Sequence, residues 1–195
     1  MVLSPEKIHP ILMFLSLLSI AIGAGASAAF NQCIDKNIDK VMTRTRHRPI
    51  ASGKVDVSDA LTFASVFSIF SVILLGLTSN WNAAFLLAFT IFFYAVIYSI
   101  CLKHLTSQNI VIGGAAGAFP PVIGWTIATG SISIEPLAFF LIIFFWTPSH
   151  FWALSLYKSD DYKKAKIPML PLTDGIEITK INIFIYSLLL IPAII

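Results

Sequence analysis

Five apolar runs, each long enough to cross a lipid bilayer, limit what this chain can fold into. They occupy residues 9–30, 60–78, 83–102, 110–129 and 137–157, and a sixth begins near Ile181 and is still apolar at Ile195. A membrane helix needs about 20 mostly apolar residues, because each residue rises about 1.5 Å and the hydrocarbon core is about 30 Å thick. In that core every backbone N–H and C=O must be satisfied within the structure, which makes helices the natural solution for runs of this length. Composition agrees. Of 195 residues, 57% are hydrophobic and 12% are charged, against roughly 25% charged in a soluble domain. The expected fold is all-α, a polytopic membrane helical bundle of about five transmembrane helices plus a C-terminal partial helix.

The charges lie outside these runs, and their placement gives an orientation. Lys7 precedes the first run, six basic residues follow it (Lys36, Lys40, Arg44, Arg46, Arg48, Lys54), Lys103 lies between the third and fourth, and Lys158, Lys163, Lys164, Lys166 and Lys180 lie between the fifth and sixth. No Lys or Arg lies between the second and third runs or between the fourth and fifth. The positive-inside rule puts the two basic loops in the cytoplasm, or its topological equivalent, and the N-terminus outside. Ala26-Ser27-Ala28 resembles a signal-peptide cleavage site. The length of the first run and the basic residues after it argue against export. The net charge of +3 is too small to argue for nucleic acid, so the partner that composition indicates is the lipid bilayer.

Two inner loops carry groups suited to chemistry. In the first, Asn31, Asp35 and Asp39 are spaced i, i+4, i+8 and share one face if the first helix continues. Two carboxylates one turn apart repel, and a divalent cation removes that penalty. Mg²⁺ suits carboxylate oxygens, keeps waters and bridges to substrate phosphate. Arg44, Arg46 and Arg48 follow, and Arg can hold phosphate oxygens in bidentate fashion. In the second loop, Asp160 and Asp161 stand at the end of the fifth run, on the same side as the first cluster. They can bind a second Mg²⁺, with one diphosphate held between the two clusters. The plainer alternative for both loops is a solvated helix end with topogenic basic residues.

The spans hold further features. His150 lies in Trp146-Thr147-Pro148-Ser149-His150-Phe151-Trp152, and an ionisable group inside a membrane segment points to function. It can ligate or orient a haem, carry a proton, or hydrogen-bond a neighbouring helix. Pro148 predicts a kink there. Gly113, Gly114 and Gly117 permit close helix approach, and Pro120-Pro121 predicts a break within the fourth span. Cys33 and Cys101 have no metal-ligand spacing and read as packing residues.

Three segments, NQCIDKNIDKVMTRTRHRPI, LKHLTSQNIVIGGAAGAFPPVIGW and WTPSHFWALSLYKSDDYKKAKIPMLP, resemble in this order the UbiA superfamily of intramembrane prenyltransferases, and within it the protohaem IX farnesyltransferase branch. The resemblance implies one UbiA-type membrane domain over residues 1–195. It implies farnesyl diphosphate and haem B as substrates, Mg²⁺ as cofactor, and haem O and diphosphate as products. The product would feed haem–copper terminal oxidases, with haem A synthase or an oxidase-assembly pathway as partners. The implied location is the cytoplasmic membrane, or the mitochondrial inner membrane in a eukaryote. By family pattern, Asn31, Asp35 and Asp39 form the first acidic motif and Asp160 and Asp161 belong to the second, all five catalytic and the four aspartates metal-binding. Arg44, Arg48 and Lys103 bind diphosphate, and His150 handles haem. Ser107 and Lys166 stand where relatives often have Pro and Gly. Family members also carry further helices before and after these six spans, so the resemblance implies an incomplete bundle and little activity from this chain alone. The competing classes are a transporter, which the absence of mid-membrane charge disfavours, and an inactive remnant or haem-handling assembly partner of a terminal oxidase.

Overall fold

The apolar runs form helices throughout the computed structural model, which describes residue 1 and residues 7–194. Ile195, the end of the predicted sixth run, lies outside the described residues. Helix α1 (Pro10–Ile34) opens on a proline, whose missing N–H costs nothing in the first turn. It is followed by the short α2 (Lys36–Val41) and by α3 (Val57–Thr78). Helix α4 (Trp81–Phe92) continues without interruption into a π-helical segment (Phe93–Leu102) and a last α-helical turn, α5 (Lys103–Leu105). Then come α6 (Asn109–Thr129), α7 (Leu137–Tyr157), the short α8 (Ser159–Lys164) and α9 (Leu170–Thr173), and α10 (Ile176–Ile194).

Six of these stretches are long and apolar enough to span a membrane: α1, α3, α4 through α5, α6, α7 and α10. The helices bury little of their surface against one another. Large apolar residues such as Leu77, Phe85 and Ile134 are exposed, as expected where the solvent is hydrocarbon. Helix α1 packs on α3, α6 on α7, and α7 on α10, while α4 and the π segment sit between α1 and α6. Gly114 is where α6 and α7 come close: a Cβ there would lie 3.0 Å from the Thr147 methyl group. The main apolar core joins Leu75 of α3, Leu87 and Ile91 of α4, and Ile123 and Ile127 of α6. A smaller one, of Met42, Ile110, Tyr162, Ile167 and Met169, knits the two inner loops to the start of α6.

Two local expectations change. The double proline does not break α6, which runs on through it, and Pro148, where a kink is expected, lies within the continuous α7. Each proline removes a donor from the carbonyl four residues back, but packing of neighbouring helices tolerates this in a membrane bundle. Helix α10 begins at Ile176, five residues before the apolar run, because Glu177 and Lys180 pair at 2.8 Å on its first turns. An acid near a helix N-terminus is favourable, so charge there starts the helix rather than excluding it.

Candidate active site

The first inner segment keeps the register that its spacing predicts, with a joint in it. Helix α1 ends at Ile34 and α2 begins at Lys36, but the backbone N–H of Asp35 still donates to Asn31 O (2.8 Å) and that of Asp39 to Asp35 O (2.8 Å). The helical path therefore continues far enough to put all three side chains on the inward face. Asn31, Asp35 and Asp39 are 7%, 1% and 2% exposed, while their neighbours Ile34, Asn37 and Lys40 are exposed.

Burying carboxylates is costly unless they are paired, and each has a cation. Lys103, from α5, forms an ion pair with Asp35. Arg48 donates from Nη1 to both oxygens of Asp39, at 3.1 and 2.9 Å, which leaves the rest of its guanidinium unused by this carboxylate. Asn31 Nδ2 donates to Asp35 (2.8 Å) and to the Ser99 hydroxyl (3.1 Å). Ser99 in turn donates to Tyr94 O, five residues back, at 2.8 Å, the interval of the π-helix on which both sit. One atom of the cluster is left over: Asp35 Oδ1 is buried and has no hydrogen-bond partner.

These groups line a cavity of about 520 Å³ that is polar at the inner end and apolar further in. Asn31, Asp35, Asp39, Arg44, Arg48 and Lys103 form the polar part, and Tyr94, Tyr98, Gly113, Ile143, Trp146 and Phe151 are among the walls. The Tyr94 and Tyr98 rings stack at 5.5 Å. Gly113 makes room for them, because a Cβ at that position would fall 2.3 Å from the Tyr98 ring.

The second acidic pair divides. Asp161 is buried and accepts from the Thr43 hydroxyl at 2.8 Å, so α8 is tied to the first inner loop. That bond holds its carboxyl below the usual carboxylate range. Burial pushes the neighbouring Tyr162 phenol up, and Tyr162 lines the cavity. Asp160 is exposed, and neither aspartate reaches the cavity wall. The four aspartates do not gather round one ion: among the described residues, no three His, Cys, Asp or Glu side chains could jointly hold a metal. A cation at Asp35 and Asp39 would complete its shell with water and substrate oxygens, the usual habit of Mg²⁺. His150 is exposed and stacks on Trp146 at 4.4 Å. Trp146 faces the cavity, whereas His150 does not line it.

Sequence reading missed Tyr94, Tyr98, Ser99, Asn109 and Thr43. Asn109 is buried at the start of α6, donates to Lys103 O at 3.2 Å and leaves its Oδ1 unpartnered. The available signal was a recurrence of polar groups, Tyr94, Tyr98, Ser99 and Lys103, at steps of four and five in an otherwise apolar run.

All of residues 1–195 match the UbiA prenyltransferase family. The chain belongs to that family. Six apolar helices and this membership make it a multi-pass membrane protein. Protoheme IX farnesyltransferase of Pelagibacter ubique is 60% identical over 195 residues, which is 100% of this chain and 64% of that protein. The protein of the same name from Rhodopseudomonas palustris is 56% identical over 191 residues, 98% of this chain and 61% of that protein. The chain thus spans about three fifths of the length of these curated relatives. A solved UbiA homolog from Archaeoglobus fulgidus, bound to DMAPP and Mg²⁺, shares the fold of this UbiA-family chain with a TM-score of 0.76 at 16% identity, over 96% of this chain and 66% of that one.

Proposed function

We propose that this chain transfers a farnesyl group from farnesyl diphosphate to a vinyl group of protohaem IX, giving haem O and diphosphate. The carrying observation is the buried cluster of Asn31, Asp35 and Asp39, with Lys103 and Arg48, at the polar end of a cavity whose deeper walls are apolar. The names of its close relatives support the same reaction. We assign the inner loops to the cytoplasmic face, since eleven of the thirteen Lys and Arg lie between the first and second or the fifth and sixth apolar runs.

The chemistry follows from charge. The allylic C1–O bond breaks, the diphosphate leaves with the electron pair, and an allylic cation remains. The vinyl carbon attacks C1, water supplies the hydroxyl to the adjacent carbon, and one proton is released. Lys103, Arg44 and Arg48 stabilise the negative charge as it develops, as preorganised cations do at a leaving group. The present partners of Lys103 and Arg48 are carboxylates, so these two cations exchange a carboxylate for a phosphate oxygen when substrate enters. Asp35 and Asp39 fit a divalent cation: both are buried at the cavity wall, and Asp35 Oδ1 lacks a partner. When bound, Mg²⁺ supplies countercharge to the leaving diphosphate. Asn31 and Ser99 orient the Asp35 carboxylate. Asp161 works at a distance from the chamber, by fixing the first inner loop through Thr43. Trp146 and Phe151 offer flat apolar surface to a porphyrin, and His150 stands beside them to orient it or accept a proton.

Asp35→Asn tests the reading. Farnesyl transfer should fall on the order of a hundredfold or more while the protein still inserts in the membrane. Haem O output at the parental rate from this variant, read by chromatography of extracted haems, would refute the assignment.

A further inference from the structure

Among the described residues that line the polar chamber, two side chains carry a buried oxygen with no protein partner, Asp35 Oδ1 and Asn109 Oδ1. The first belongs to a carboxylate and fits the divalent cation of the reaction proposed above. The second belongs to a neutral amide at the start of α6, 1% exposed. That amide is held by its other half: Nδ2 donates to Lys103 O at 3.2 Å, so the carbonyl oxygen is the free end. An amide oxygen accepts hydrogen bonds and cannot give them, and burying it without a donor is costly. Several of the chamber's donors are committed elsewhere. Lys103 pairs with Asp35 and Arg48 with Asp39. Asn31 spends its Nδ2 on Asp35 and Ser99, and the Thr147 hydroxyl donates to Ile143 O at 2.7 Å. The reactants offer no donor either. Ionised diphosphate and a prenyl chain carry no N–H or O–H. The ring nitrogens of haem hold iron, and its propionates are ionised near neutral pH. The donor that remains is water.

We propose that Asn109 is a positioning residue, whose Oδ1 holds the water that becomes the hydroxyl group of the product. The proposal rests on the farnesyl-transfer reading above and adds a residue to it. Once the terminal vinyl carbon has joined C1, the positive charge lies on the next carbon, the one bonded to the porphyrin ring. That carbon has two fates. In one, a water oxygen gives it a lone pair, the C–O bond forms, and the freed proton passes to the departing diphosphate. In the other, a proton leaves the neighbouring carbon for the same diphosphate, and the product is an alkene with no hydroxyl. Both fates balance, so the position of the water decides between them. The cationic carbon is two bonds from C1, which puts the water at the diphosphate end of the chamber. Asn109 is at that end, bonded to the main chain of Lys103.

The test is the product made by the full chain from haem B, farnesyl diphosphate and Mg²⁺, with the alcohol and the alkene, which is lighter by one water, separated by chromatography and mass. Their sum reads the proposed reaction, and their ratio reads the water site. The parent should give the alcohol almost alone. Asn109→Leu, similar in shape but without the oxygen, should lower the alcohol-to-alkene ratio at least about fivefold, the worth of one net hydrogen bond. Asn109→Asp keeps an acceptor and gives up the donor to Lys103 O. It should hold the parental ratio within about twofold even where the total falls. Asn109→Val serves if Asn109→Leu fails to accumulate. A parental ratio from the apolar variants would overturn the proposal, whatever happens to the total, and would leave Asn109 as an anchor for Lys103 alone. So would Asn109→Asp forming as large a share of alkene as Asn109→Leu. If the parent prenylates no haem to either product, the proposed reaction and this inference fall together.

Discussion

At the outer end of this bundle, helices are tied to one another by neutral amides; at the inner end they are tied by ions. In the outer turn, Asn80 caps α4 by accepting from Ala83 N–H (2.9 Å) and donates to Thr126 O (2.9 Å), and Asn82 donates to Gly130 O (2.8 Å). The partners there are main-chain groups, which cannot leave. In the inner loops the partners are side chains: Lys103 for Asp35, Arg48 for Asp39, Thr43 for Asp161. Each of these can be exchanged for another ligand without unravelling a helix. The lesson is that one end is built to hold and the other to trade, and the diphosphate site proposed above belongs at the second.

Breaking the comparison is most direct at Lys103. Lys103→Met leaves the buried Asp35 carboxylate without its cation, which should cost about 3–5 kcal/mol in thermal or denaturant unfolding. Adding Asp35→Asn should restore most of it. If the single variant is as stable as the parent, the inner pair is not holding anything. At the outer end, Asn80→Ala should cost about 1–2 kcal/mol, the loss of a cap and one further hydrogen bond. Prenyl transfer measured at a permissive temperature should be unchanged. A fall in turnover there would erase the division between the two ends.

Lys166 sharpens the comparison from the inner side. It is the one described non-glycine residue with positive φ, at 53°, a conformation that costs an L-residue about 1–2 kcal/mol. The family pattern described above implies a glycine there. Lys166→Gly should therefore stabilise the loop, by about 1 kcal/mol once the extra chain entropy of glycine is subtracted, as read from unfolding midpoints. The smallest effect concerns acid. Because Thr43 holds Asp161 below its unfolded pKa of about 3.9, the bond contributes fully above that value. The contribution is lost as pH falls through the lower folded pKa. Thr43→Val should bring the Asp161 titration, followed by carboxyl NMR shifts, back toward the unfolded value. An unmoved titration would mean another group holds it down.

The spans and the first acidic motif were legible because both rest on repetition: long apolar runs for the one, a four-residue interval for Asn31, Asp35 and Asp39. What was not legible had no period of its own. Phe93-Tyr-Ala-Val-Ile-Tyr-Ser-Ile-Cys-Leu102 reads as one more apolar stretch, and nothing in it announces a π-helix, so Tyr94, Tyr98 and Ser99 went unassigned. Asp160 and Asp161 are chemically alike, and only the path of α8 decides that the second meets Thr43 and the first faces out. The start of α10 was missed because Glu177 and Lys180 cancel one another, which a count of apolar residues does not see.

The π segment also fixes how this protein tolerates changes in length. In an α-helix each residue advances the next by about 100° around the axis. Deleting one residue between Phe93 and Leu102 would let that stretch relax toward α-helical winding and swing everything beyond it by about that angle. Lys103 would then turn away from Asp35, and Ser99 from Asn31, although every residue named in the site would still be present. The segment behaves as a phase shifter: it lets one continuous rod show its apolar stripe to Leu75 and Ile123 at one end and its cation to a carboxylate at the other. Among homologous chains, an insertion or deletion here should be paired with a compensating one nearby, whereas the outer turn between α6 and α7, which lends no residue to the polar chamber, can lengthen or shorten without moving the site.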